Sequence, residues 1–149
     1  MGLNEFWEDF ITRTNRSINI KYIDCFHFEL REKLVNELLD LVLKGQKNAT
    51  ASSLYAYEKE GERIPQVGDL NIVTDWDGTP KCIIETTNVT ILPFKDITFD
   101  ICKREGEDDT LESWREGHTN FFTKEGEELG YIFTEDMPVV FEDFRVIFK

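Results

Sequence analysis

A lysine and a hydroxyl residue lie three positions apart in the segment Gly45-Gln46-Lys47-Asn48-Ala49-Thr50. Residues i and i+3 lie on the same side of a helix end, but they point to opposite faces of an extended strand. Lys47 and Thr50 therefore converge only if the chain is still turning as it leaves Gly45. In that arrangement, a desolvated lysine amine can take the proton of the threonine hydroxyl and make it a nucleophile.

The same segment also fits a purely structural interpretation. Gly45 would end a helix, Lys44 and Lys47 would face the negative end of its dipole, and Thr50 would begin a strand. Glycine followed by lysine is common at helix C-termini, so residue chemistry alone favours this interpretation.

An amphipathic helix must present this segment. From Glu29 onward, apolar residues recur every three or four positions with charged residues between them, which is the pattern of a helix with one buried face. The helix is predicted to end at Gly45. Its apolar residues are Leu30, Leu34, Leu38, Leu41 and Val42.

The remaining chain mixes helical and strand patterns. Residues 4–14 have apolar residues at helical spacing, and residues 70–92 contain β-branched runs around the turn signal Asp77-Gly78. A further helix is predicted near Thr110, with Asp109 as its N-cap. Residues 124–128 are predicted to form a loop, and residues 139–148 a closing strand pair with a bulge near Glu142. This arrangement favours an α+β fold.

A net charge of −13 limits the partners of the protein. Residues 1–50 hold eight acidic and seven basic residues, so the other 99 residues carry −12. Because duplex nucleic acid is bound mainly through its phosphates, this charge argues against duplex DNA as a ligand. A patch that accepts a nucleotide is expected near four residues of the less acidic part. They are Arg31, Lys33, Lys44 and Lys47.

Three cysteines without CxxC spacing, Cys25, Cys82 and Cys102, are typical of reduced thiols in apolar positions. We predict no metal site and no cofactor, because the two histidines, His27 and His118, do not complete a zinc ligand pattern with them. No stretch approaches the ~20 apolar residues of a membrane span, and the N-terminus lacks the features of a signal peptide. The expected location is the cytoplasm.

The motif Gly45-x-Lys47-x-x-Thr50 resembles the GxKxxT signature of the ASCH domains, small relatives of the PUA RNA-binding domain. Three later stretches resemble the longer-chain branch of that family and follow in the same order. They are Pro65-Gln66-Val67-Gly68-Asp69, the block from Glu105 to His118 that contains Glu107-Asp108-Asp109-Thr110-Leu111, and Phe121-Phe122 followed by Met137-Pro138-Val139-Val140.

The resemblance implies a PUA-like antiparallel β-barrel with helices packed on the outside, formed by a single domain over residues 1–149. Residues 1–28 would be an N-terminal helical extension. Small ASCH relatives hydrolyse the amide of N4-acetylcytidine with the motif lysine and threonine and one glutamate. The matching catalytic residues here are Lys47 as base, Thr50 as nucleophile and Glu107, which would orient the amide or move a proton.

Five further residues are candidates for substrate binding: Lys44, Gly45, Glu105, Trp114 and His118. Alternatively, the acidic residues cap a helix, Lys47 and Glu107 form a bracing ion pair, and His118 belongs to the core. Two functions remain open. One is an amidohydrolase acting on a small acylated nucleoside, and the other is a module that binds a nucleotide or short single-stranded RNA, with or without ribonuclease activity.

Overall fold

The computed structural model of the protein describes residues 1–29 and 31–149. Leu30, which belongs to the predicted apolar pattern, lies outside the described residues. The helices are α1 (Leu3–Arg13), α2 (Glu32–Leu43), α3 (Leu54–Glu60), α4 (Phe99–Cys102) and α5 (Leu111–Leu129). The strands are β1 (Asp24–Phe26), β2 (Ala49–Ser53), β3 (Leu70–Thr74), β4 (Pro80–Pro93) and β5 (Pro138–Phe148).

Over the described residues, five strands form one mixed sheet in the order β1-β3-β4-β5-β2, which curves into a half-barrel. The pairs β3–β4, β4–β5 and β5–β2 are antiparallel. The short strand β1 pairs with β3 in parallel, which departs from the purely antiparallel sheet that was expected. The predicted α+β fold of PUA-like type is otherwise confirmed.

Helices cover the sheet through three groups of buried apolar side chains. The amphipathic helix α1 packs through Phe6, Phe10 and Ile11 onto β3 and β4. Helix α2 contributes Leu39 and Val42 to a second group, which includes residues of β3, β4 and β5. The largest buried side chain of α5, Trp114, lies in a third group. That group also contains Phe94, Ile97, Cys102, Phe122, Tyr131, Met137 and Val139.

Three local predictions were wrong. The N-cap of α5 is Thr110, whose hydroxyl accepts the backbone N–H of Ser113 at 3.1 Å, and Asp109 precedes it. Residues 124–128 are helical because α5 continues to Leu129. Within this part of the helix, Gly126 packs closely against Tyr131. The C-terminal segment is one strand, β5, that pairs with both β2 and β4. The irregularity opposite Asp143 lies on β4, between Thr86 and Asn88.

Candidate functional site

The end of α2 controls the direction in which Lys47 leaves the helix. Gly45 takes a φ of 78°, a left-handed conformation that glycine adopts without steric cost. The backbone N–H groups of Gln46 and Lys47 both donate to the carbonyl of Leu41, at 2.9 and 3.0 Å. The chain is therefore still turning at Lys47, as the motif spacing requires, before β2 begins at Ala49.

A second segment, residues 103–107, lies directly against this helix exit. The backbone N–H of Asn48 donates to the carbonyl of Arg104 at 2.9 Å, and the side-chain amide of Gln46 donates to the carbonyl of Gly106 at 2.9 Å. Gly106 has a φ of 71°, and a Cβ atom there would collide with the carbonyl of Gln46. The close approach therefore requires glycine, and it places Glu105 and Glu107 beside Lys47.

Lys47 is buried, with 1% of its surface exposed, and its Nζ has three acceptors. They are the carbonyl of Ala49 at 2.8 Å, Oε2 of Glu105 at 3.4 Å and Oε2 of Glu107 at 2.7 Å. An ammonium has three N–H donors, whereas a neutral amine has two and a lone pair. Three acceptors around Nζ therefore match a charged ammonium. The face of Phe28 lies 5.0 Å from the same nitrogen and adds a cation–π contact.

Glu105 is a buried carboxylate surrounded by donors. Its Oε1 accepts the indole N–H of Trp114 at 2.8 Å and lies 3.2 Å from Nε2 of His118, while Oε2 faces Lys47. Burial alone would raise the pKa of Glu105. The hydrogen bond from His118 and the charge of Lys47 outweigh burial and lower the pKa well below its usual range. Glu105 is therefore a fixed negative charge.

Both ring nitrogens of His118 face oxygen atoms. Its Nδ1 lies 2.9 Å from the carbonyl of Trp114, and its Nε2 faces the Glu105 carboxylate. Both partners can only accept, so the contacts fit an imidazolium. Burial lowers the pKa of His118, but the hydrogen bond and charge of Glu105 more than reverse this effect and raise it. The ring also stacks on Trp114, with centroids 4.1 Å apart.

Glu107 differs from Glu105 although only one residue separates them. Its side chain is 26% exposed and contacts Lys47. Burial raises the pKa of Glu107, and the charge of Glu105 raises it further against the opposing charge of Lys47. Of the two carboxyl groups, Glu107 is therefore the one that holds a proton more readily than an ordinary glutamate.

These groups form one wall of a cavity of ≈320 Å³, which we name the Lys47 cavity. Thr50 of β2 lines the same space, so the three predicted catalytic residues face one cavity. Glu105 and His118, predicted to bind substrate, also belong to its lining. The full lining consists of Phe28, Glu29, Leu38, Lys47, Thr50, Ala51, Glu105, Glu107, Asp108, Gly117, His118 and Phe121.

The other three predicted substrate-binding residues lie outside this lining. Lys44 is exposed on α2 and pairs with Asp40 at 2.6 Å, and Gly45 shapes the end of that helix. Trp114 is fully buried behind Glu105, to which its indole donates. Gly45 and Trp114 therefore contribute to the site by placing Lys47 and Glu105, whereas Lys44 is a surface residue.

Two aromatic residues of the lining were missing from the predicted site. Phe28 lies between β1 and α2, and it stacks on Phe144 of β5. Phe121 lies on α5 beside the fully buried Phe122, yet 40% of its surface is exposed at the cavity. An exposed aromatic ring within an otherwise buried helical stripe is visible only in three dimensions.

Among the described residues, no group of three His, Cys, Asp or Glu side chains has an arrangement that would hold a metal ion. Across residues 1–29 and 31–149, no helix combines the length and apolar composition needed to cross a bilayer.

Comparison with known proteins places this architecture in a family. The model of the ASCH domain matches residues 24–148. A crystal structure of an ASCH domain from Lactobacillus crispatus JV V101 is 40% identical, with a TM-score of 0.88 over 98% of this chain and 94% of that chain. Protein EF3133 from Enterococcus faecalis V583 is 32% identical, with a TM-score of 0.89 over 98% of this chain and 88% of that chain.

The hypothetical protein PH0355 is similar in fold alone, at 17% identity and a TM-score of 0.52 over 83% of this chain and 97% of that chain. A search of curated proteins gave no significant match. The match of the family model, together with two solved structures that align over nearly the whole length, confirms the resemblance of the motifs. The chain belongs to the ASCH domain family.

Proposed function

We propose that this protein is a hydrolase that cleaves the amide of a small acylated pyrimidine nucleoside such as N4-acetylcytidine. The observation that carries the proposal is the Lys47 cavity, where a hydroxyl, a carboxyl group of raised pKa and a buried ammonium face the same space. A nucleophile, a proton carrier and a positive charge are the parts that amide hydrolysis requires.

Lys47, expected from the sequence to be the base, already donates to three acceptors. We therefore assign proton transfer to Glu107, because a carboxylate of raised pKa is a stronger base than an ordinary one. Lys47 would remain charged and would stabilise the negative charge that develops on the carbonyl oxygen. Glu105 and His118 would hold Lys47 in place.

The reaction would proceed in two stages. Thr50 Oγ1 attacks the acetyl carbon while Glu107 takes the hydroxyl proton. The C–N bond then breaks, and Glu107 returns that proton to the departing N4 amine, which releases cytidine and leaves an acetyl ester on Thr50. Water attacks the ester with Glu107 again taking and returning a proton, so that acetate leaves and Thr50 is restored.

The alternative function, binding of a nucleotide or short single-stranded RNA, is disfavoured by the charge of the cavity. Its lining includes the carboxyl groups of Glu29, Glu107 and Asp108, which would repel a phosphate. An uncharged nucleoside does not meet this obstacle.

The test is the release of cytidine from N4-acetylcytidine, followed by chromatography. We expect Glu107→Gln and Thr50→Val each to reduce kcat/KM by at least ~100-fold. The matched control is Glu127→Gln, an exposed position on α5 that should retain wild-type turnover. Absence of turnover in the wild type, or full turnover in Glu107→Gln, would contradict the proposal. Salt-sensitive binding of labelled single-stranded RNA without turnover would instead support the alternative.

A further inference from the structure

A second cavity, of ≈370 Å³, lies next to the first one, and we name it the Glu142 cavity. The two cavities share Phe28, Glu29, Thr50, Ala51 and Phe121. They therefore meet at the proposed nucleophile, and a molecule that reacts at Thr50 can extend into both.

Glu142 places a buried carboxyl group in this second space. It lies on β5 directly opposite Thr50 in the antiparallel register, so the two side chains project from the same face of the sheet. Glu142 is 9% exposed, and the hydroxyl of Thr86 donates to its Oε2 at 2.6 Å. A carboxylate has about four acceptor positions, so the hydrogen bond from Thr86 leaves capacity for further donors.

The other polar groups of the Glu142 cavity make it unsuitable for an anion. Arg63 donates to both carboxylate oxygens of Asp69, at 3.1 and 2.9 Å, so its charge is compensated. Glu62 and Glu125 add further carboxyl groups to the lining. Burial raises the pKa of Glu142 despite the hydrogen bond from Thr86, and the nearby charge of Asp69 raises it further. Such a lining favours a neutral ligand that donates hydrogen bonds.

We propose that the Glu142 cavity binds the ribose of the substrate, with the carboxyl group of Glu142 accepting a sugar hydroxyl. This inference rests on the proposed function, because it divides one nucleoside between the two cavities. The acylated base would occupy the Lys47 cavity and the pentose the Glu142 cavity. Acidic side chains bind ribose hydroxyls in the same way in dinucleotide-binding folds. Glu142 is then a residue that determines specificity for nucleosides over free bases.

The experiment compares N4-acetylcytidine with N4-acetylcytosine, which lacks the sugar, in wild type and Glu142→Gln. We expect the substitution to reduce kcat/KM for the nucleoside about tenfold, mainly through KM, because an amide is a weaker acceptor than a carboxylate. Turnover of N4-acetylcytosine should not change. An equal loss on both substrates, or no loss on either, would overturn the inference. The 5′-monophosphate of N4-acetylcytidine should be a poorer substrate than the nucleoside.

Direct binding separates this inference from the proposed hydrolysis. If the wild type hydrolyses neither compound, the proposed function fails, and calorimetry with cytidine and cytosine still tests the ribose site. Cytidine should bind about tenfold more tightly than cytosine, and Glu142→Gln should abolish the difference. Equal affinities, or no binding of either compound, would overturn the inference. The control is Glu85→Gln, which lies on β4 outside both cavities and pairs with Arg145.

Discussion

The two cavities that meet at Thr50 hold their buried carboxyl groups in different ways. In the Lys47 cavity, an ammonium and a histidine surround Glu105, and its pKa is lowered. In the Glu142 cavity, the partner of Glu142 is the uncharged hydroxyl of Thr86, and the pKa of the carboxyl group is raised. Charge compensation thus makes one carboxylate a fixed part of the scaffold and leaves the other suited to hydrogen bonds with a neutral ligand.

Glu107 stands between these two cases. It contacts Lys47 as Glu105 does, but its side chain faces the cavity, and its pKa is raised as that of Glu142 is. The residue proposed to move protons is therefore the member of the charged cluster that is least completely compensated.

Removal of the Lys47 ammonium should cause the largest loss of unfolding free energy. Lys47→Ala leaves Glu105 and Glu107 without their cation, and breaking a buried ion pair costs about 3–5 kcal/mol of unfolding free energy. Urea denaturation measures this loss. The matched control is Lys44→Ala, whose exposed pair with Asp40 should contribute less than about 1 kcal/mol. Similar costs for the two variants would show that the buried cluster is not stabilising.

Urea denaturation of a Glu142 variant tests whether the buried carboxyl groups of the two cavities differ. Glu142→Gln retains an oxygen that can accept the hydrogen bond from Thr86, and it removes a carboxyl group that pairs with no cation among the described residues. The unfolding free energy should change by less than about 1 kcal/mol. A loss as large as that of Lys47→Ala would mean that Glu142 is held as a fixed ion, like Glu105.

A substitution where the exit of α2 contacts residues 103–107 should cause the next largest loss of unfolding free energy. Gly106→Ala combines a left-handed backbone with a collision against the carbonyl of Gln46, so we expect a loss of more than about 2 kcal/mol. Gly61→Ala is the control, since its φ of 67° is similar and, among the described residues beyond its two chain neighbours, no atom lies within 4 Å of the added Cβ. That variant should lose about 1 kcal/mol. Equal losses would refute the close approach at Gly106.

Protonation of His118 should change the unfolding free energy by a smaller amount, which depends on pH. Because the folded state raises the pKa of His118, protonation stabilises the fold fully below the unfolded pKa of about 6.5. This contribution is lost as the pH rises through the folded pKa. The unfolding free energy of the wild type relative to His118→Phe should therefore fall as the pH is raised from 5.5 to 9. A constant or increasing difference would contradict an imidazolium beside Glu105.

The sequence predicted the structural features that depend on short, local patterns of residues. The apolar repeat of α2 and the glycine at its end placed Lys47 correctly, and the motif blocks indicated the fold. Glu105 was predicted to bind substrate, whereas its state as a buried ion depends on contacts with Trp114 and His118. Those contacts follow from the orientation of α5 against residues 103–107, which no short sequence window contains.

The pairing of strands distant in the sequence explains why Glu142 was missing from the predicted site. Glu142 faces the site because β5 pairs with β2 such that residue 142 lies opposite residue 50. In the sequence, Glu142 appeared as one acidic residue in a strand that was expected to carry a bulge. The irregularity at this point lies on β4, so β5 pairs regularly with β2 from Val139 to Asp143 and keeps Glu142 on the face of Thr50. A shift by one residue would turn it to the opposite face.

The most direct test of this account is a carbon-13 NMR titration of the glutamate carboxyl groups, with Glu105→Gln, Glu107→Gln and Glu142→Gln used for assignment. We expect Glu105 to titrate below the ordinary glutamate pKa of about 4.3, and Glu107 and Glu142 to titrate above it. A pKa of Glu107 at or below that of Glu105 would contradict the central claim that the Lys47 cluster holds one carboxylate as a fixed ion and leaves the other free to carry a proton.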